Sequence, residues 1–209
     1  MRFETQRLIL RDWHPTQDAR HAMDIFGDAR VMAWFEGGVK DNSMRQVQGR
    51  LQRYAEQAKR SKDGTQSWAV VQKDIGRVIG NVVLCALPDM QEVREQHTPE
   101  PIEGGLPTEY VEIGWHFRPS SWGFGYATEA AFCVAQHSFE SMGLPVLLAV
   151  TQSENTRSIA VIERLGMRYD GMTTRCYGGK ELLLYLLKNS DLKVAKEKWL
   201  LARDAAACE

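Results

Sequence analysis

The chain lacks any cysteine pair at a spacing that serves redox chemistry or metal binding. Cys85, Cys133, Cys176 and Cys208 are scattered, which excludes a disulfide framework and a zinc ribbon. Cys85 and Cys133 lie in apolar runs and read as buried thiols acting as small hydrophobes. No uninterrupted apolar stretch reaches the roughly 20 residues that span a membrane. Met1-Arg2-Phe3-Glu4 leads into a strand pattern without the apolar segment of a signal peptide. Nor is there a surplus of either charge: 26 Lys and Arg face 27 Asp and Glu, for a net charge of −1. That leaves no electrostatic case for nucleic acid or an anionic membrane, and Lys59-Arg60-Ser61-Lys62 reads as a solvated helix end. His14, His21, His97 and His137 form no triad pattern with a serine or cysteine. No internal repeat is present. These absences point to a soluble, cytoplasmic protein without a structural metal.

What is present fits one globular domain: 209 residues, 44% of them hydrophobic and 25% charged. Arg7 to Trp13 reads as a first strand, and Thr16 or Asp18 caps a helix reaching Phe26, with Gly27 near its end. A second helix starts at Asn42-Ser43 and runs to Lys59, with Met44, Val47, Leu51, Tyr54 and Ala58 at helical spacing. Ser67–Gln72 and Val78–Ala86 pair as a hairpin around Asp74-Ile75-Gly76. Strands follow at Glu112–Phe117, Val146–Thr151, Arg168–Asp170 and Leu182–Leu187. Helices are expected at Tyr126–Met142 and Asn155–Leu165. The alternation implies an α/β (α+β) domain with a mixed sheet.

Two segments stand apart from this core. Residues 87–109 hold four of the seven prolines, Pro88, Pro99, Pro101 and Pro107, and many more acidic residues than basic ones. The stretch is either an unstructured hairpin extension or an acidic rim that attracts a cationic amine. Residues 189–209 form a helical extension in which Leu192, Ala195, Trp199, Ala202 and Ala206 share one stripe. That stripe docks on its own domain or makes a dimer contact, so the chain is a monomer or a homodimer.

The most informative run is Glu112 to Ala131, EIGWHFRPSSWGFGYATEAA. An aromatic, β-branched strand ends at Arg118-Pro119, where proline stops it. Gly123 and Gly125 flank Phe124, and Tyr126-Ala127-Thr128-Glu129-Ala130-Ala131 opens a helix. Glycines permit positive φ and close approach of a ligand to the main chain. The helix start exposes amides at the positive end of its dipole, a combination that suits a diphosphate. There is no Lys-Ser/Thr after the glycines and no third glycine three residues on, so the run is neither a P-loop nor a dinucleotide fingerprint. Main-chain groups must therefore hold the phosphates. About thirty residues later come the strand Leu147–Thr151, then Asn155-Thr156-Arg157-Ser158, a short helix, and Gly166 as the residue past its C-terminus. Asn155 is a helix cap by its residue type and position.

Taken together, three blocks resemble the GNAT superfamily of acyl-CoA-dependent N-acetyltransferases, and more narrowly its ribosomal-protein N-terminal alanine acetyltransferases. They are T-Q-R-L-I-L-R from Thr5, E-I-G-W…W-G-F-G-Y-A-T-E-A, and N-T-R-S-I-A-V-I-E-R-L-G-M. The likeness runs from about Thr5 to Leu187. It implies a GNAT domain over 1–188 with a mostly antiparallel sheet of about seven strands and flanking helices. Acetyl-CoA is the implied cosubstrate, with no metal. The implied activity is acetyl transfer to a primary amine in a ternary complex, the acceptor being a protein N-terminus. The alternatives are a small-molecule amine or a silent acyl-CoA-binding module.

The resemblance also assigns residues. The diphosphate sits on amides of the turn from Ser121 to Ala127 and the helix start, which brings in Gly123, Phe124, Gly125, Tyr126, Ala127 and Thr128. The pantetheine arm pairs with main-chain groups near His116 and Phe117, and Asn155 and Ser158 contact the cofactor. Several relatives carry a catalytic glutamate where Glu112 stands, which makes it the candidate base; a strand-end carboxylate in a salt bridge is the plain alternative. Ser158 matches a serine that some relatives use as the acid, the alternative being a small residue packed beside the cofactor. The pattern departs from the family in three places: Ser120 replaces a basic residue or glutamine, Met167 replaces phenylalanine, and Ile162 stands where many members carry an acid tyrosine. Tyr177 is a further candidate for that missing acid.

Overall fold

A computed structural model of the chain describes residues 1–35, 38–61, 64–87 and 110–206. Eight strands form one sheet in the order β1-β2-β3-β4-β5-β6-β8-β7. They are β1 Phe3–Glu4, β2 Leu8–Arg11, β3 Ser67–Gln72, β4 Arg77–Leu87, β5 Tyr110–Phe117, β6 Leu147–Thr151, β7 Arg168–Thr173 and β8 Leu182–Leu187. Six helices accompany them: α1 Ala19–Phe26, α2 Ala29–Met32, α3 Met44–Arg60, α4 Tyr126–Glu140, α5 Thr156–Arg164 and α6 Asn189–Ala206. The sheet has eight strands rather than about seven; the addition is the two-residue β1, which pairs antiparallel with β2. The acidic segment expected at 87–109 lies outside the described residues beyond Leu87, the buried last residue of β4.

The chain divides into two compact units, 1–85 with 113–134 and 86–112 with 135–209. In the first unit, β2 pairs antiparallel with β3, and β3 with β4. Its core is built by Trp13, Ile25, Phe26, Met32, Val47 and Leu51 against Ala69, Val71 and Val78. Val47 and Leu51, one turn apart on α3, are fully buried, each contributing about 1.5–3 kcal/mol of apolar burial. Ser43 starts α3: its hydroxyl accepts from the Gln46 amide while the Gln46 side chain accepts from the Asn42 amide, a close variant of the capping box. Asp18 precedes α1 but makes no side-chain cap. Its carboxylate instead takes both guanidinium arms of Arg11 at 2.7 and 2.8 Å and the His14 amide at 2.8 Å.

In the second unit, β6 and β7 both pair antiparallel with β8, and β5 meets β6 in parallel with Glu112 opposite Leu148. Leu87, Val146, Leu148, Cys176, Leu182, Leu184 and Leu186 make its core. Asn155 caps α5, its side chain accepting from the Ser158 amide at 3.3 Å. Gly166 takes φ +76° just past the helix. The C-terminal helix α6 docks within this unit. Leu192 is buried, Arg168 bonds Asp191 at 2.6 Å, and Lys196 donates to Gln136.

Candidate functional site

In the first unit the candidate site is a turn with a brace behind it. After β5, Pro119–Ser121 form a short 3-10 turn in which Ser121 N donates to Arg118 O at 2.9 Å and Trp122 N to Pro119 O at 3.1 Å. These two amides are used internally, so the run expected from Ser121 narrows to begin at Gly123. Gly123 and Gly125 take φ +85° and +75°, the left-handed region that disfavours a Cβ. Phe124 between them is exposed, its ring stacked on Tyr126 at 5.8 Å. The amides of Tyr126, Ala127 and Thr128 open α4 and by helix geometry have no intrahelical acceptor.

Glu129, only 4% exposed, organises the brace from the first turn of α4. Its carboxylate accepts from Thr5 Oγ1 at 2.6 Å, from the Arg7 amide at 2.9 Å and from Arg7 Nε at 2.7 Å. Arg7 Nη1 in turn donates to the Phe124 carbonyl at 2.9 Å, and the guanidinium lies 4.6 Å over the Tyr126 ring. The carbonyl that would otherwise repel an anion at the turn is thus tied to a cation. Thr128 Oγ1 is buried without a hydrogen-bond partner among the described residues. Two permissive glycines, a helix N-terminus and an orphaned hydroxyl fit a diphosphate group.

The expected cofactor strand carries a different arrangement around His116. The ring lies against Phe26 at 6.0 Å and Phe35 at 5.3 Å. Trp13 Nε1 donates to Asn81 Oδ1 at 3.0 Å, so Asn81 Nδ2 faces His116 Nδ1 at 3.4 Å as the donor. His116 Nδ1 is therefore the acceptor, and the ring proton sits on Nε2. Burial, with the nearby Arg50 charge, pushes the imidazole down to about 4. The side chain is a packed neutral ring. Of the main-chain groups expected to pair with the pantetheine arm, the Phe117 carbonyl already accepts from Trp122 Nε1 at 2.7 Å.

In the second unit Glu112 is buried on β5, and its carboxylate accepts a hydrogen bond from the Tyr177 hydroxyl. Tyr177 has φ +52° and is the one non-glycine residue with positive φ among the described residues. That conformation costs about 1–2 kcal/mol. Gly178 and Gly179 follow at +76° and +80°. Cys176 precedes it, its thiol pushed up to about 11 by burial and by the Glu112 charge, so it stays protonated and is no nucleophile. Asn155 Oδ1 is occupied by the Ser158 amide, which shows the cap reading of that residue. Ser158 is half-buried on the first turn of α5, and Ile162 is fully buried. It is Tyr177 that the fold brings to Glu112, 65 residues apart in the chain. The sequence reading missed Thr5, Arg7 and Glu129 as parts of the site; their one signal is that all three stand inside the quoted blocks.

The family described as "Acetyltransferase (GNAT) domain" matches residues 7–168. The chain is 27% identical over 178 residues to the uncharacterized N-acetyltransferase YnaD of Bacillus subtilis, covering 84% of this chain and 88% of that one. Among solved structures, a GNAT-family acetyltransferase from Bacillus anthracis superposes with a TM-score of 0.69 at 23% identity, covering 90% of this chain and 98% of that one. Mycobacterium smegmatis RimJ in complex with CoA-disulfide gives 0.68 at 18% identity, covering 88% and 83%. The chain belongs to the GNAT acetyltransferase family. It is an acetyl-CoA-dependent acetyltransferase acting on an amine. Among the described residues no group of three His, Cys, Asp or Glu side chains is placed to hold a metal ion, and no helix is long and apolar enough to cross a membrane.

Proposed function

We propose that the chain acetylates the free N-terminus of a protein, as in the ribosomal-protein branch of the family, by direct attack of the neutral amine. The amides from Gly123 to Thr128 receive the diphosphate of acetyl-CoA, and Glu112 takes the proton that the amine must lose. The reading rests above all on Glu112. A carboxylate buried on β5 whose hydrogen-bond partner is a phenol is a proton acceptor held away from bulk water. The blocks quoted from the sequence support the N-terminal acceptor, and RimJ of Mycobacterium smegmatis shares the fold. Ser158 remains in the proposal as a residue beside the cofactor. The 1–188 domain with its helical extension is proposed on the same footing.

The test is thiol release from acetyl-CoA with peptides beginning in Ala, Ser or Met, run beside polyamines and aminoglycosides. A peptide is expected to be turned over best, and Glu112→Gln to lower kcat by about 10²-fold. Preference for a small amine rejects the N-terminal acceptor; wild-type turnover in Glu112→Gln rejects the base.

A further inference from the structure

We infer that the side chain of Phe124 is a stacking platform for the adenine base of acetyl-CoA, and so selects the nucleotide-bearing thioester over one on a bare phosphopantetheine arm; the inference rests on the proposal above that the amides from Gly123 to Thr128 receive the diphosphate. That reading uses the main chain of the turn and leaves this side chain without a task. A phenyl group belongs by its chemistry in a core, yet Phe124 is 60% exposed, and among the described residues it is the one phenylalanine so placed. A single apolar side chain in water is ordinary. What sets this one apart is how firmly it is held and what stands beside it.

Contacts on every side fix the ring before a ligand arrives. Gly123 and Gly125 flank it at φ +85° and +75°, and Arg7 Nη1 holds the Phe124 carbonyl at 2.9 Å. The ring stacks on Tyr126 with centroids 5.8 Å apart and an interplanar angle of 27°. Tyr126 is in turn covered by the Arg7 guanidinium at 4.6 Å. A ring ordered in advance loses little freedom when a partner settles on it. At 60% exposure it still offers surface to such a partner, and a nucleobase suits it, since every base has a π face that stacks on an aromatic side chain. In CoA the adenine is joined to the diphosphate through one ribose. A diphosphate on the amides around Phe124 therefore brings the base within reach of this ring, whereas the pantetheine arm and the acetyl group have no aromatic face to offer.

The experiment titrates wild type, Phe124→Leu and Phe124→Trp by calorimetry with CoA and with 4′-phosphopantetheine, which keeps the arm and one phosphate but lacks the base. Melting temperature serves as the folding control. Phe124→Leu is expected to bind CoA about tenfold more weakly, about 1.4 kcal/mol, which lies within the range for a base on an aromatic ring. Its affinity for 4′-phosphopantetheine should stay within about twofold of wild type, and Phe124→Trp should keep CoA binding within about twofold, since an indole stacks at least as well. A second readout is spectroscopic: in the wild-type complex the adenine H2 and H8 protons should give nuclear Overhauser effects to a phenyl ring, and these should vanish in Phe124→Leu. A Phe124→Leu protein with wild-type affinity for CoA, equal losses for both ligands, or no such effects in the wild-type complex overturns the platform. The diphosphate reading survives those results as long as the wild type prefers CoA to pantetheine. Equal wild-type affinity for CoA and pantetheine removes the diphosphate reading and this inference with it.

Discussion

Replacing Arg7 with Met tests whether the brace behind the turn is a working part of the molecule. The substitution keeps an apolar stem of similar length but removes the cation. Glu129, 4% exposed, is left with two of its three donors, Thr5 Oγ1 and the Arg7 amide, and the Phe124 carbonyl loses its partner. Breaking a buried ion pair by removing one partner costs about 3–5 kcal/mol. Two features reduce that figure: the Arg7 side chain is 30% exposed, and two donors to the carboxylate remain. The expected loss is about 2–3 kcal/mol, or roughly 5–10 °C in melting temperature for a chain of this size. Urea denaturation of wild type, Arg7→Met, Glu129→Gln and the double variant measures it. The double variant should lose less than the sum of the singles, since the charge stranded by Arg7→Met is absent from it. CoA affinity should fall by about tenfold in Arg7→Met through loosening of the turn, a change of about 1.4 kcal/mol. An Arg7→Met protein within 0.5 kcal/mol of wild type, by this ~0.5 kcal/mol criterion for neutral surface changes, refutes the reasoning.

Two further outcomes follow from the same structure. His116 titrates near 6.5 when unfolded and is pushed to about 4 in the fold, so the unfolded chain binds its proton first as pH falls. Its contribution is fully present above the unfolded value and is lost between about pH 6.5 and 4, by up to about 3 kcal/mol; urea midpoints across that range should show a slope that His116→Gln removes, and equal slopes contradict it. Gly166→Ala places a Cβ at φ +76° and 2.8 Å from the Ala195 Cβ, which should cost about 2 kcal/mol through backbone strain and a displaced α6; an unchanged urea midpoint counts against that docking.

The elements legible in the sequence were those with local chemistry at their ends. Ser43 with Gln46, and Asn155 with Gly166, mark α3 and α5 because a cap and a left-handed glycine act within a few residues. The hairpin of β3 and β4 was legible through Gly76, and β8 through its unbroken LLLYLL run. α2 escaped notice because four residues are too few to show a helical period, although Asp28 caps it by accepting from the Arg30 amide. Asp18 misled in the opposite direction: a capping residue type in the right place, whose carboxylate was claimed by Arg11. At the site, the glycine turn was legible as a motif, but its brace was not, since Arg7 and Glu129 stand 122 residues apart. Nothing local in Cys176-Tyr177-Gly178-Gly179 announces a partner on β5. The pairing of β8 with β6, and of β6 with β5, brings that tyrosine to Glu112.

The central claim is that the amides from Gly123 to Thr128 grip a diphosphate. Calorimetric titration of CoA beside pantetheine, which keeps the arm but lacks the diphosphate and the adenosine beyond it, tests it most directly. The account predicts that CoA binds and that pantetheine loses at least 100-fold in affinity, about 2.7 kcal/mol. Equal affinity for the two contradicts it.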